Sequence, residues 1–160
     1  MNTALFKTQN DLPEETRRAI IDALNDHLAD AIDFALQAKQ AHWNVRGPNF
    51  VPLHGLFDEV AEEFSEFADE LAERAVQLGG TARGTLQAAT NSSRLQPYPP
   101  ELARGADHVQ ALSVRLAAFG KSARAAIEST NRLGEPIPPI FSRKFPAPRT
   151  SYCGSLKRMG

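Results

Sequence analysis

The chain has 160 residues, 42% of them hydrophobic, which suits one compact domain with a sizeable core and leaves a second domain cramped. With 18 basic residues against 19 acidic ones the net charge is −1, so bulk composition carries no basic footprint for nucleic acid. Cys153 is the one cysteine, which excludes an intrachain disulfide framework and a thiolate-rich metal site and fits a reducing compartment.

Met1 to Leu12 holds Lys7 as its only basic residue and has no apolar run of signal-peptide length. No apolar stretch of about 18 residues occurs anywhere, so the expectation is a soluble, cytoplasmic chain with a flexible tail over 1–10 and no membrane partner. Asp11-Leu12-Pro13-Glu14 resembles a helix-capping box, with Glu15 adding favourable charge near the helix dipole. A first helix then runs to about Val45. Ile20, Ala23, Leu24, Leu28, Ala31, Ile32, Ala35, Leu36 and Ala38 recur on it at helical spacing, and Arg17, Arg18, Asp22, Asn25 and Asp26 fill its outside. His27 reads as a surface residue. Lys39 reads as a solvated lysine, or as one that tunes a site at His42 electrostatically.

Gly47-Pro48-Asn49 breaks this helix, and Pro52 falls in the first turn of a second one that runs to about Leu78 and stops at Gly79-Gly80. On the second helix His54, Asp58, Glu62, Asp69 and Glu73 share a sector of roughly 100°. Leu56, Phe57, Val60, Phe64, Phe67, Leu71 and Leu78 occupy the opposite arc, as a core face does. His54 with Asp58, and Asp69 with Glu73, are i, i+4 pairs, each able to hold half a metal site. Asp58 and Asp69 are about 16 Å apart along the axis, whereas two ligand atoms on one ion stand roughly 4–5 Å apart. No single ion can use both pairs of one helix. Two copies packed antiparallel about a two-fold axis would bring the first pair of one against the second pair of the other, giving a shared site.

Carboxylates at i, i+4 spacing are more often a solvated helix face, and Glu59, Glu63, Glu66 and Glu70 read that way. Two imidazoles with carboxylates and no thiolate suit iron in both its reduced and oxidised forms, although zinc or manganese fits the same ligands. Trp43, beside His42, reads on its own as packing near a helix end.

The connection from Thr81 to Pro100 is long, and a short helix is expected near Thr85–Thr90. Pro99-Pro100-Glu101 opens a third long helix to about Leu133, with Val109, Leu112, Leu116, Phe119 and Ile127 as its buried stripe and His108 as a structural residue. An up-down bundle needs a fourth helix. After Gly134, however, Pro136, Pro138, Pro139, Pro146 and Pro148 stand among basic residues, a composition that reads as disordered.

The run from Lys39 to Phe50, the pattern His42, His54, Asp58, Asp69 and Glu73, and the ending Ala72-Glu73-Arg74-Ala75-Val76-Gln77-Leu78-Gly79-Gly80 resemble the Dps family of mini-ferritins. The similarity extends from about Asp11 to Gly134. It implies an all-α, ferritin-like four-helix bundle over 11–134, assembled as a hollow homo-dodecamer that oxidises iron(II), preferably with hydrogen peroxide, and stores the ferric product. It also implies that His42, His54 and Asp58 come from one subunit and Asp69 and Glu73 from its partner, and that Trp43 intercepts oxidising equivalents. The Glu-x-x-His pattern of larger ferritins precedes none of His27, His42, His54 or His108.

The tail 135–160 departs from this family. Read one base early, the codons of 137–160 permit a proline-free amphipathic helix like the family's last one, which points to a frameshift near Glu135. The fourth helix is then lost or disordered in the sequence as written. Two alternatives stand beside the ferroxidase reading: a DNA-compacting protein with little ferroxidase activity, and a family member that fails to assemble. DNA binding has poor support in Met1–Leu12, and the basic tail residues Arg143, Lys144, Arg149, Lys157 and Arg158 would be accidents of the frameshift.

Overall fold

The computed structural model describes residues 5–132. Three long helices and a short one build this part: α1, Glu14–Asn44; α2, Phe50–Gln77; α3, Leu86–Ser92; and α4, Gly105–Arg132. They form an all-α bundle in which α1 packs along α2 and touches α3 and α4. No described helix is long and apolar enough to cross a membrane. The expectations for 135–160, a frameshifted tail and a lost or disordered fourth helix, lie outside the described residues.

The core is the seam between α1 and α2. Leu24, Leu28, Ala31, Phe34, Ala38 and Ala41 meet Leu53, Phe57, Ala61, Phe64, Phe67 and Leu71, all of them buried. Phe34 and Phe64 lie with ring centroids 4.3 Å apart. The α2 stripe thus buries the arc expected of it, with Leu56 and Val60 half-buried at its margins. Leu36 is 49% exposed rather than buried. At about 100° per residue it falls on the far side of α1 from Ile20, Ala31 and Ala38.

No side chain caps the start of α1. The capping box expected at Asp11 to Glu14 does not form, because Pro13 is the N-cap and Asp11 stands too early to reach the first free N–H groups. Glu14 and Glu15 still place negative charge in the first turn. Part of the segment expected as a tail runs against the far end of α2. The Phe6 N–H donates to the Gly79 carbonyl at 2.8 Å. Gly79 ends α2 with φ 84°, and a Cβ there would stand 2.6 Å from the Phe6 carbonyl oxygen.

The long connection after α2 carries the expected short helix, capped by the Thr85 hydroxyl accepting from the Ala88 N–H. Buried polar groups of α1 hold the rest. Asn25, expected outside, is buried because the connection crosses it: its amide donates to the Ile21 and Thr81 carbonyls and its oxygen accepts from the Arg83 N–H at 2.7 Å. Asp30 accepts from the Arg94 N–H at 2.7 Å and from its guanidinium at 2.6 and 3.0 Å. Gln37 reaches the Gln96 carbonyl at 3.2 Å. This row of side chains gives a loop without a core of its own partners for its main chain. Asp30→Ala is expected to cost about 2–3 kcal/mol in urea unfolding, because it removes the acceptor of the Arg94 main-chain N–H and guanidinium. Arg94 is 42% exposed, so water takes its guanidinium and the loss stays below that of a fully buried pair.

The third long helix starts at Gly105, not at Pro99. The chain is held extended just before it: the Arg46 N–H donates to the Ala103 carbonyl at 2.8 Å, and Arg46 and Arg104 form a β-bridge. Val109, Leu112 and Phe119 are buried as expected, with Leu116 and Ile127 half-buried.

His27 is 2% exposed, where a surface residue was expected. Its Nδ1 lies 2.7 Å from the Ala23 carbonyl, so it carries the hydrogen, and Nε2 then accepts from the Ser122 hydroxyl at 3.1 Å. The ring ties α1 to α4 in its neutral form. Burial holds its pKa below the ordinary 6.5, and burial does the same to His108. The unfolded chain binds these protons first, so stability is full above pH 6.5 and falls as the pH drops through 6.5 towards the lowered folded values. Thermal melts should show Tm falling below pH 6.5, with a shallower fall in His27→Gln.

Candidate metal centre

The turn between α1 and α2 builds the centre. α1 ends at Asn44, Val45 turns extended with ψ 137°, and Gly47 takes φ 112°. The Phe50 N–H returns to the Gly47 carbonyl at 3.1 Å, and α2 runs back along α1. This antiparallel register sets His42 opposite His54 and Lys39 opposite Asp58.

His42 and His54 stack with ring centroids 3.6 Å apart and planes 25° from parallel. Each ring bonds the other's main chain: His42 Nδ1 lies 2.8 Å from the His54 carbonyl, and His54 Nδ1 2.9 Å from the His42 carbonyl. A carbonyl only accepts, so both Nδ1 atoms carry hydrogen and both Nε2 atoms keep a lone pair. That is the tautomer a metal ion takes, fixed here before any ion arrives. Phe50 covers the other face of His54 at 4.9 Å.

One turn along α2, Asp58 is ion-paired with Lys39. The Lys39 hydrogen bond, with the Lys39 charge beside it, holds the Asp58 carboxyl below its ordinary range. It is therefore a carboxylate at neutral pH, ready to exchange a lysine for a metal cation. Lys39, which reads from sequence as solvated or as tuning a site, is half-buried and pairs with Asp58. The reciprocal ring-to-carbonyl bonds and the cover by Phe50 could not be read from one-helix spacing, since they depend on the register between two helices.

Asp69 and Glu73 lie further along the same face of α2, both exposed, about 16 Å beyond Asp58. The structure brings His42 and His54 together, sets Asp58 against Lys39 one turn along α2, and leaves Asp69 and Glu73 apart. Among the described residues of one chain, no group of three or more His, Cys, Asp or Glu side chains could hold a metal ion. Glu62 is exposed between the two pairs, and Trp43, beside His42, is 64% exposed. One chain therefore presents an imidazole pair one turn from a carboxylate, and a separate carboxylate pair further along α2.

A ferritin-like domain matches residues 21–137. The chain is 42% identical over 130 residues to a DNA protection during starvation protein of Agrobacterium fabrum, covering 81% of this chain and 80% of that one. It is 31% identical over 122 residues to the protein of the same name in Mycolicibacterium smegmatis, covering 76% and 67%. Among solved structures, the tetragonal form of Mycobacterium smegmatis Dps superposes with TM-score 0.76 at 26% identity, covering 99% of this chain and 89% of that one. DpsC from Streptomyces coelicolor superposes with TM-score 0.89, covering 98% and 91%; at 22% identity it speaks for the fold alone.

Proposed function

Because the chain belongs to the Dps branch of the ferritin-like family, we propose that it oxidises iron(II) with hydrogen peroxide at sites shared between two subunits and stores the ferric product in a hollow dodecamer. One observation carries this reading. His42 and His54 present two lone-pair nitrogens one turn from an ionised Asp58 held by Lys39, and no three such ligand side chains of one chain's described residues gather closely enough to hold a metal ion. A partner's Asp69 and Glu73, related by a two-fold axis, supply what is missing.

Iron(II) is the substrate. It displaces Lys39 from Asp58 and binds the two Nε2 atoms, while the second carboxylate pair neutralises the remaining charge. Each of two iron(II) ions gives one electron to peroxide, whose O–O bond breaks to leave two hydroxide ions and two iron(III). No hydroxyl radical is released when both electrons arrive together. Trp43 intercepts oxidising equivalents that escape the site, and Glu62 guides the ferric product inward. The work belongs in a reducing, cytoplasmic compartment. Protection of DNA follows from removing iron and peroxide rather than from coating the duplex, since Met1–Leu12 offers Lys7 alone to phosphates.

The reading is tested by mixing the oligomer with iron(II) and peroxide in stopped flow. Two iron(II) consumed per peroxide, faster than with dioxygen, is the expected outcome; equal rates with both oxidants would remove peroxide as the preferred one. The tail 135–160 we attribute to a frameshift near Glu135, a reading supported by the end of the family match at residue 137. Sequencing the coding DNA decides it, since stop codons in the shifted frame would rule it out.

A further inference from the structure

Tyr98 and His108 form a pair that the proposed iron chemistry leaves unused. The Tyr98 hydroxyl lies 2.7 Å from His108 Nδ1, and the two rings are 11° from parallel with centroids 6.1 Å apart. His108 is 1% exposed, in the first turn of α4. The nearby main chain of Asn44 and Leu102 favours a proton on the ring, against the burial that disfavours it. Nε2 is buried with no hydrogen-bond partner among the described residues, which leaves Nδ1 as the nitrogen that meets the phenol. In the tautomer with the ring hydrogen on Nε2, Nδ1 is bare and the Tyr98 hydroxyl donates to it.

The pair backs onto the iron half-site. Asn44, whose main chain meets His108, ends α1 directly after Trp43 and two residues after His42. Phe57, whose ring lies 6.1 Å from that of His108, precedes Asp58.

We infer that Tyr98 is an electron donor to the oxidation at the iron site, with His108 taking its phenolic proton. A phenol that loses an electron becomes a strong acid, so its oxidation is easy only where a base stands ready to accept the proton. Burial pushes the Tyr98 phenol up to about 12, so it is a phenol and not a phenolate at neutral pH. Burial also lowers His108, which keeps that ring neutral and able to accept. The Arg115 guanidinium, 5.3 Å over the Tyr98 ring, opposes positive charge there, so the radical persists only once its proton has left. Arg115 is itself fixed by the Gln96, Pro97 and Ala111 carbonyls at 3.1, 2.5 and 2.8 Å.

The inference rests on the ferroxidase reading for its oxidant. Where one iron(II) is bound, iron and Tyr98 each give one electron to peroxide. The products are iron(III), two hydroxide ions, the Tyr98 phenoxyl radical and protonated His108. The next iron(II) returns an electron to the phenoxyl, and His108 returns the proton. Both charge and atoms balance in each step.

Freeze-quench EPR of the oligomer, mixed with one iron(II) per site and peroxide, tests this. The chain has two tyrosines, Tyr98 and Tyr152, so the assignment is direct. The expected result is a phenoxyl signal that survives Tyr152→Phe, falls at least about tenfold in Tyr98→Phe, and falls similarly in His108→Gln, which keeps a polar side chain of comparable length but removes the base. Iron-free flash oxidation with a ruthenium tris-bipyridine sensitiser gives a second reading that does not need the metal site. A phenoxyl signal under light but not with iron and peroxide overturns the inference if iron(II) is still oxidised, and removes the ferroxidase reading beneath it if iron(II) is not. Absence of the signal in both experiments, or its persistence in Tyr98→Phe, overturns the inference.

Discussion

Changing His42, His54 and Asp58 together to alanine is expected to slow iron(II) oxidation by peroxide at least about 100-fold, measured by stopped flow on the assembled protein. The three side chains act as one unit, so the combined variant is the clean test and single changes will not add. The stacked rings also cross-link the end of α1 to the start of α2 through two hydrogen bonds. Losing them should cost about 1–2 kcal/mol of stability, too little to unfold the bundle. Helical content by circular dichroism should therefore be unchanged. Oxidation at the unmodified rate would mean that the polar stripe on α2 is a solvated face and nothing more.

Phe119→Ala should be the most destabilising single change, by about 3–5 kcal/mol in urea unfolding. Phe119 is fully buried and sets its edge against three rings: Phe64 at 5.3 Å, Phe67 at 5.8 Å and His27 at 5.9 Å. With Leu112 and Ala123 it carries α4 into the core cluster built on α1 and α2. Edge-to-face pairs add to the area term, and the surrounding rings cannot collapse into the space left behind. Against a typical total of roughly 5–15 kcal/mol, such a loss would also weaken the oligomer and its iron sites. A loss below about 1 kcal/mol would show that α4 is anchored elsewhere.

Much of this was legible one helix at a time. The period of apolar residues on α2 marks its buried face, and the same rotation puts Asp58, Asp69 and Glu73 on one open stripe. Helix rise alone separates the two carboxylate groups by about 16 Å and points to a second subunit. Where several segments meet, single-helix spacing fails. Asn25 looks like a surface residue until the connection after α2 crosses it, and Arg46 delays α4 to Gly105 by pairing with the chain before it. The lysine opposite Asp58 and the tautomers of His42 and His54 depend on the register between α1 and α2, which no periodicity within either helix contains. His27 is a different case. It lies on the same arc as Leu24, Leu28 and Ala31, and its burial follows from that arc once a polar side chain is allowed a partner.

The central claim is that each site is completed by a second chain, and subunit mixing tests it most directly. One variant carries His42, His54 and Asp58 as alanine; the other carries Asp69 and Glu73 as alanine. Each alone should be inactive. Dissociated, mixed in equal amounts and reassembled, they should recover about one quarter of the wild-type iron oxidation rate, because every mixed two-fold pair holds one intact and one doubly broken site. A mixture as inactive as its two parents, with mixed oligomers shown by native mass spectrometry, would contradict the shared site.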